Sequence, residues 1–85
     1  MVEGGIQAET RQTLENIKAT LEQNGASMSD VVKVTVFIAD IAEFGQMNEV
    51  YTTFFTENPP ARSTVAVSGL AAGARIEVEC IAVVN

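Results

Sequence analysis

The run Ile76-Glu77-Val78-Glu79-Cys80-Ile81-Ala82-Val83 limits what this chain can fold into more than any other stretch. Side chains alternate across a strand, so residues two apart share a face. One face then carries Ile76, Val78, Cys80 and Ala82, and the other carries Glu77, Glu79, Ile81 and Val83. An unpaired carboxylate is too costly to bury. The acidic face must therefore meet water, a cation or a cleft, while the apolar face needs a cover.

The cover is legible upstream. Gly4-Gly5 reads as a break, and residues 8–24 read as a helix. Leu14, Ile17 and Leu21 recur at i, i+3 and i+7 to form one apolar stripe. Asn24-Gly25 supplies a stop signal, because glycine tolerates the left-handed conformation that ends many helices. Residues 31–38 (VVKVTVFI) are β-branched almost throughout and read as a strand. Val32, Val34, Val36 and Ile38 are expected on its apolar face. Asp40 can cap a second helix over residues 41–55, with Phe44, Met47, Tyr51 and Phe54 as its buried stripe. Gly45 weakens that helix by roughly 1 kcal/mol relative to alanine. Asn58-Pro59-Pro60 ends it, since the residue before a proline avoids the helical region. Short strands are expected over 63–67 and 75–84.

The order helix, strand, helix, strand, strand implies an α+β two-layer sandwich, with both helices on one face of the sheet. A chain of 85 residues is one domain, spanning 1–85. A domain of this size buries only roughly 60–65% of its unfolded surface. Its apolar fraction of 47% nevertheless suits a globular fold. The second sheet face has no cover within the chain, so association with other chains is expected to bury it.

Charge and residue usage exclude several functions. The net charge is −6, and Arg11, Lys18, Lys33, Arg62 and Arg75 are scattered. No basic stripe exists to neutralise phosphates, which argues against a nucleic-acid partner and an anionic membrane surface. Histidine is absent, which removes the commonest general base and metal ligand. No metal, cofactor or phosphate loop is implied. Cys80 is the single cysteine, so no internal disulfide is possible and a cytoplasmic home is expected. Its apolar strand context marks it as a small core residue. No segment is long and apolar enough to span a bilayer, and the opening residues do not resemble a signal peptide.

The chemistry left to the chain centres on Arg62, which follows Pro59-Pro60 on a Pro-rich turn, and on Glu77 and Glu79. One reading is a salt bridge that settles acids on a half-exposed face. The other is an arginine that grips a carboxylate beside a glutamate that orients water. The guanidinium fork suits bidentate capture of a carboxylate, and a carboxylate can hold or deprotonate a water that adds to an electrophilic carbon. Asn48, beside Met47, reads as solvent-facing from spacing alone. Ser63 and Thr64 follow Arg62, but without histidine they have no triad to activate them. Lys18 and Lys33 read as solvated charges.

Several segments together resemble one known family. Ala8-Glu9-Thr10-Arg11-Gln12-Thr13-Leu14-Glu15-Asn16-Ile17, Asp30-Val31-Val32-Lys33-Val34-Thr35-Val36-Phe37, Met47-Asn48-Glu49-Val50-Tyr51, Pro60-Ala61-Arg62-Ser63 and Ile76-Glu77-Val78-Glu79 match, in order, the RidA/YjgF family, also labelled endoribonuclease L-PSP. The resemblance covers essentially the whole chain. It implies a chorismate-mutase-like fold, a homotrimer with a central barrel, and clefts between subunits. It also implies hydrolysis of 2-imino or enamine acids to 2-keto acids and ammonia.

By position, Arg62 matches the family arginine that grips the substrate carboxylate, and Glu77 the glutamate that positions water. Thr64 stands where many members carry a reactive cysteine, and Asn48 matches an asparagine near subunit contacts. Cys80 is not the family cysteine, so thiol chemistry is not inherited. Family members usually begin with an early strand pair that includes Gly-Pro-Tyr and Ser-Gly-Gln segments, which this sequence lacks. Met1-Val2-Glu3-Gly4-Gly5-Ile6 is similar to the middle of a family sequence, so Met1 is expected to be an internal methionine or the start of a shortened gene. The expected function is therefore RidA-like deamination, impaired if the shortened site is too open. The alternatives are a non-catalytic carboxylate-binding module, an inert remnant and, disfavoured by charge, a ribonuclease.

Overall fold

A computed structural model describes residues 4–84. The opening residues 1–3, part of the stretch read above as internal to a family sequence, lie outside the described residues. The first helix, α1, spans Gly5–Gln23. It begins three residues earlier than periodicity suggests, because Gly4 and Gly5 both take positive φ and turn the chain into the helix. Ile6, Thr10 and Leu14 form its buried edge, and the Thr10 hydroxyl donates to the Ile6 carbonyl at 2.6 Å. The helix stops as the sequence requires. Ala26 N–H donates to the Leu21 carbonyl at 2.8 Å and Gly25 N–H to the Glu22 carbonyl at 3.3 Å, with Gly25 at φ 80°.

Strand β1 spans Val31–Ile38, the expected residues. Its face assignment differs from strict alternation at one end. The β1 pairing is irregular between Val31 and Lys33, so Val31 is buried and Val32 is half exposed at 50%. One extra residue in a ladder turns the side chains before it to the other face. From Val34 onward the alternation is regular, with Val34, Val36 and Ile38 fully buried.

A single 3₁₀ turn over Ile41–Glu43 leads into α2, Phe44–Phe54. The Asp40 carboxylate accepts from Ala42 N–H at 3.0 Å, so the capping role holds although the first turn is tighter than an α-helix. Met47, Val50 and Tyr51 are buried, and Phe44 and Phe54 are half-buried.

Strand β2 spans Ala61–Ala66, two residues ahead of the expected start. Arg62 therefore sits within a strand and not on the turn. The prolines explain the shift: Pro59-Pro60 pre-sets extended backbone, and parallel pairing with β1 begins at once with Lys33 opposite Ala61. The last strand, β3, spans Ile76–Ala82 and runs antiparallel to β1. The sheet order is β2-β1-β3, with both helices on one side. This is the α+β arrangement expected, with a mixed sheet. Ile76 is buried, Val78, Cys80 and Ala82 pack on the core, and Glu77, Glu79 and Ile81 are exposed. No helix of the described residues is long and apolar enough to cross a membrane.

Leu14 joins α1 to the sheet and is fully buried. Leu14→Ala is expected to cost about 2–5 kcal/mol. Urea unfolding of both proteins at one fixed chain concentration measures this, since association would otherwise shift the midpoint.

Candidate active site

Residues three and four apart on a helix lie side by side, so Phe44, Asn48 and Tyr51 form one stripe along α2. That stripe faces the edge strand β2. On β2, Arg62 lies opposite the buried Val34, and Thr64 lies opposite the buried Val36. Directly paired residues share a sheet face, so Arg62 and Thr64 point to the helix side. Arg62 Nη1 donates to Asn48 Oδ1 at 2.5 Å. The guanidinium carbon lies 4.6 Å from the centroid of the Tyr51 ring and 5.3 Å from that of Phe44. A cation held over an aromatic face gains on the order of 0.5–2 kcal/mol, more as water is excluded. Asn48 is thus not a solvent-facing residue, as spacing alone suggests; its amide oxygen orients Arg62. The clue was its placement between two aromatic positions of the same stripe.

A guanidinium has five N–H donors. With one taken by Asn48, donors remain for a ligand in the adjoining open cavity of about 530 Å³, which is lined by Ile41, Phe44, Arg62 and Thr64. Nothing in the sequence pattern marks Ile41, which is 57% exposed and forms the apolar lip. The Thr64 hydroxyl and the Tyr51 hydroxyl are buried and find no hydrogen-bond partner among the described residues. Burial pushes the Tyr51 phenol above its ordinary value of 10.0, while Arg62 pulls it down and Cys80 pushes it further up. Burial likewise raises the Cys80 thiol, which keeps it protonated and a poor nucleophile.

Glu77 stands elsewhere. It is exposed and lies opposite Phe37 on β3, on the face turned away from the helices. Arg62 is on one edge strand and the helix side, whereas Glu77 is on the other edge strand and the open side. Glu79, opposite Thr35, shares that open side. The salt bridge between Arg62 and these acids, offered above as one reading, does not form within the chain. The ion pair among the described residues joins Arg75 to Glu9 at 3.2 Å. Lys33 is not simply solvated: its ammonium donates to Ser63 Oγ at 2.8 Å and to the Val34 carbonyl at 3.3 Å.

A family model described as Endoribonuclease L-PSP matches residues 1–84. The chain belongs to the RidA/YjgF family. A RutC family protein of Pyrococcus horikoshii is 52% identical over 82 residues, which are 96% of this chain and 65% of that protein. The rat 2-iminobutanoate/2-iminopropanoate deaminase is 46% identical over 83 residues, 98% of this chain and 61% of the enzyme. The chain therefore spans less than two thirds of the length of these curated relatives. Among solved RidA-family structures, a Thermotoga maritima protein superposes with a TM-score of 0.96 at 48% identity, covering 100% of this chain and 67% of its own. E. coli TdcF, solved with bound serine, gives a TM-score of 0.94 at 39% identity, covering 100% of this chain and 69% of its own.

The Tyr51 hydroxyl gives this RidA-family chain an alkaline signature. Its folded value lies above the unfolded value, so unfolded chains lose the proton first as pH rises. The contribution of the neutral phenol is whole below pH 10.0 and is lost as the pH climbs through the raised folded value. Tyr51→Phe is expected to leave stability at pH 7 within about 1 kcal/mol, because the deleted hydroxyl has no partner among the described residues to lose. Urea midpoints between pH 7 and 11 should fall less steeply in the variant than in the parent.

Proposed function

We propose that this chain hydrolyses small 2-imino acids, and their enamine tautomers, to 2-keto acids and ammonia. The observation that carries the reading is Arg62, oriented by Asn48 and two aromatic rings at the edge of an open cavity. Relatives named as imine deaminases support the choice of reaction. The serine bound to TdcF supports the substrate class, because it too places a carboxylate one carbon from nitrogen.

In the proposed steps the free N–H donors of Arg62 hold the substrate carboxylate as a bidentate pair. Thr64 Oγ, which finds no protein partner among the described residues, offers a hydrogen bond to the same group. Ile41 and Phe44 meet the short side chain. Glu77 orients a water towards the imine carbon and takes its proton. The water oxygen bonds to carbon, the C=N π pair goes to nitrogen, and nitrogen gains a proton. The carbinolamine then collapses: its hydroxyl proton passes by way of the Glu77 carboxyl group to nitrogen, the oxygen electron pair forms C=O, and the C–N bond breaks to release ammonia. The steps need general acid–base help only.

Arg62 and Glu77 occupy opposite faces of one chain's sheet, so the proposed site takes Glu77 from a second copy. The open sheet face, with Ile81 at 60% and Val32 at 50% exposure, favours such an assembly, and a homotrimer is proposed. The absence of a basic stripe keeps nucleic acid out of the proposal. The lone cysteine suits the reducing cytoplasm, where the enzyme is proposed to act.

The direct test is hydrolysis of freshly generated 2-iminobutanoate against the spontaneous rate. Parent protein is expected to accelerate it. Arg62→Ala should lose at least about 100-fold in kcat/KM, equivalent to a charge-assisted pair of roughly 3 kcal/mol. Binding of keto acids without any turnover would replace the hydrolase reading with the carboxylate-binding module, which the separation of Arg62 from Glu77 within one chain also favours.

Subunit sharing is tested by co-expressing Arg62→Ala with Glu77→Gln. Each variant alone should be inactive. Randomly mixed assemblies should regain about a quarter of the parent activity, because one site in four pairs an intact Arg62 with an intact Glu77. No recovery, together with a monodisperse monomer in light scattering, would rule out the shared site.

A further inference from the structure

Glu9 is a charged residue that the proposed chemistry does not use, and it is buried to 6% exposure while Glu77 and Glu79 are exposed. It projects from α1 and reaches the opposite end of the chain. Glu9 Oε2 accepts from Arg75 N–H at 2.6 Å and from Ile76 N–H at 3.3 Å. Glu9 Oε1 accepts from Arg75 Nη1 at 3.2 Å. On its other side, the Arg75 carbonyl accepts from Ala39 N–H at 3.0 Å. The peptide units that open β3 are thus held from the helix layer and from the residue that follows the central strand. Bonds from N–H to a carboxylate are roughly twice as strong as those between neutral groups.

We infer that Glu9 is a positioning residue for Glu77. The inference rests on the hydrolase reading above. Glu77 follows directly on Ile76, whose side chain is buried at 4% exposure. With the Arg75 and Ile76 amides held by Glu9, the strand cannot roll about its axis at this point, and the Glu77 side chain keeps one direction on the open face. A water-orienting carboxylate needs that constancy, since a displacement of about 1 Å at a reacting group can cost up to about 100-fold in rate. Arg62, on the far strand and held by α2, is untouched by this clamp. Loss of Glu9 should therefore lower kcat and spare KM.

The test compares steady-state hydrolysis of 2-iminobutanoate by the full chain carrying Glu9→Asp, Glu9→Gln or Arg75→Met. Glu9→Asp keeps the charge but shortens the reach. It is expected to lose about 10-fold in kcat, with KM within about twofold. Glu9→Gln keeps an oxygen at full reach for both amides, and should recover to within about threefold of the parent. Arg75→Met removes the ion pair and keeps the backbone bonds, and should match the parent. Parent-like kcat in Glu9→Asp would overturn the inference. So would equal losses in Glu9→Asp and Glu9→Gln with KM rising in step, or a loss in Arg75→Met as deep as in Glu9→Asp. A parent protein with no activity would overturn the hydrolase reading first, and this inference with it.

Discussion

Val34, Val36 and Ile38 admit no water, and their burial under two helices is the constraint on which the molecule depends. They line the helix-facing side of the central strand, which pairs with both neighbours. Because side chains alternate strictly along a strand, burying these three turns Lys33, Thr35 and Phe37 to the other side. Pairing then carries the same parity outward. Arg62 and Thr64 inherit the helix side from Val34 and Val36, and Glu77 and Glu79 inherit the open side from Phe37 and Thr35. A one-residue slip in either ladder would exchange these faces.

Helix α2 acts on the consequence of that parity. A cation brought to the helix side of an edge strand would be poorly placed among aliphatic groups. Here it meets Asn48 Oδ1 and two aromatic faces spaced along one stripe of the helix. The seat keeps the guanidinium oriented, yet leaves it at the rim of an open cavity. Structure and proposed chemistry use the same contacts, since an arginine that must hold a carboxylate in one pose needs its own rotamer held.

The open side is the unfinished part of a single copy. Helices cover one face, and the other leaves Glu77, Glu79 and Ile81 exposed, with Lys33 bonded to Ser63 among them. A lone three-stranded sheet with one bare face and two edges is a marginal object. The proposal that copies share this face would give the apolar residues a partner and bring a Glu77 towards a neighbour's Arg62. Glu9, tying α1 to the start of β3, links the order of the covered layer to the direction of a residue on the bare one.

Local pattern alone determined much of this protein. The β-branched run over 31–38, the stop at Asn24-Gly25, the Asp40 cap and the alternation of Ile76 with Glu77 all report interactions within a few residues, and each stands as a strand, helix end or face. The residues Arg62, Thr64, Asn48 and Glu77 were visible as types through their family pattern. Tertiary structure decided what they touch. That Pro59-Pro60 runs straight into a parallel strand, that an irregular pairing turns Val31 inward, that Asn48 serves Arg62, and that Arg62 and Glu77 part to opposite faces all depend on register between segments far apart in the chain. So does the clamp from Glu9 to residues 66 and 67 positions away. Periodicity reports which side of its own element a residue occupies. It carries no information on which element lies across from it, because that choice is made by packing the whole core at once.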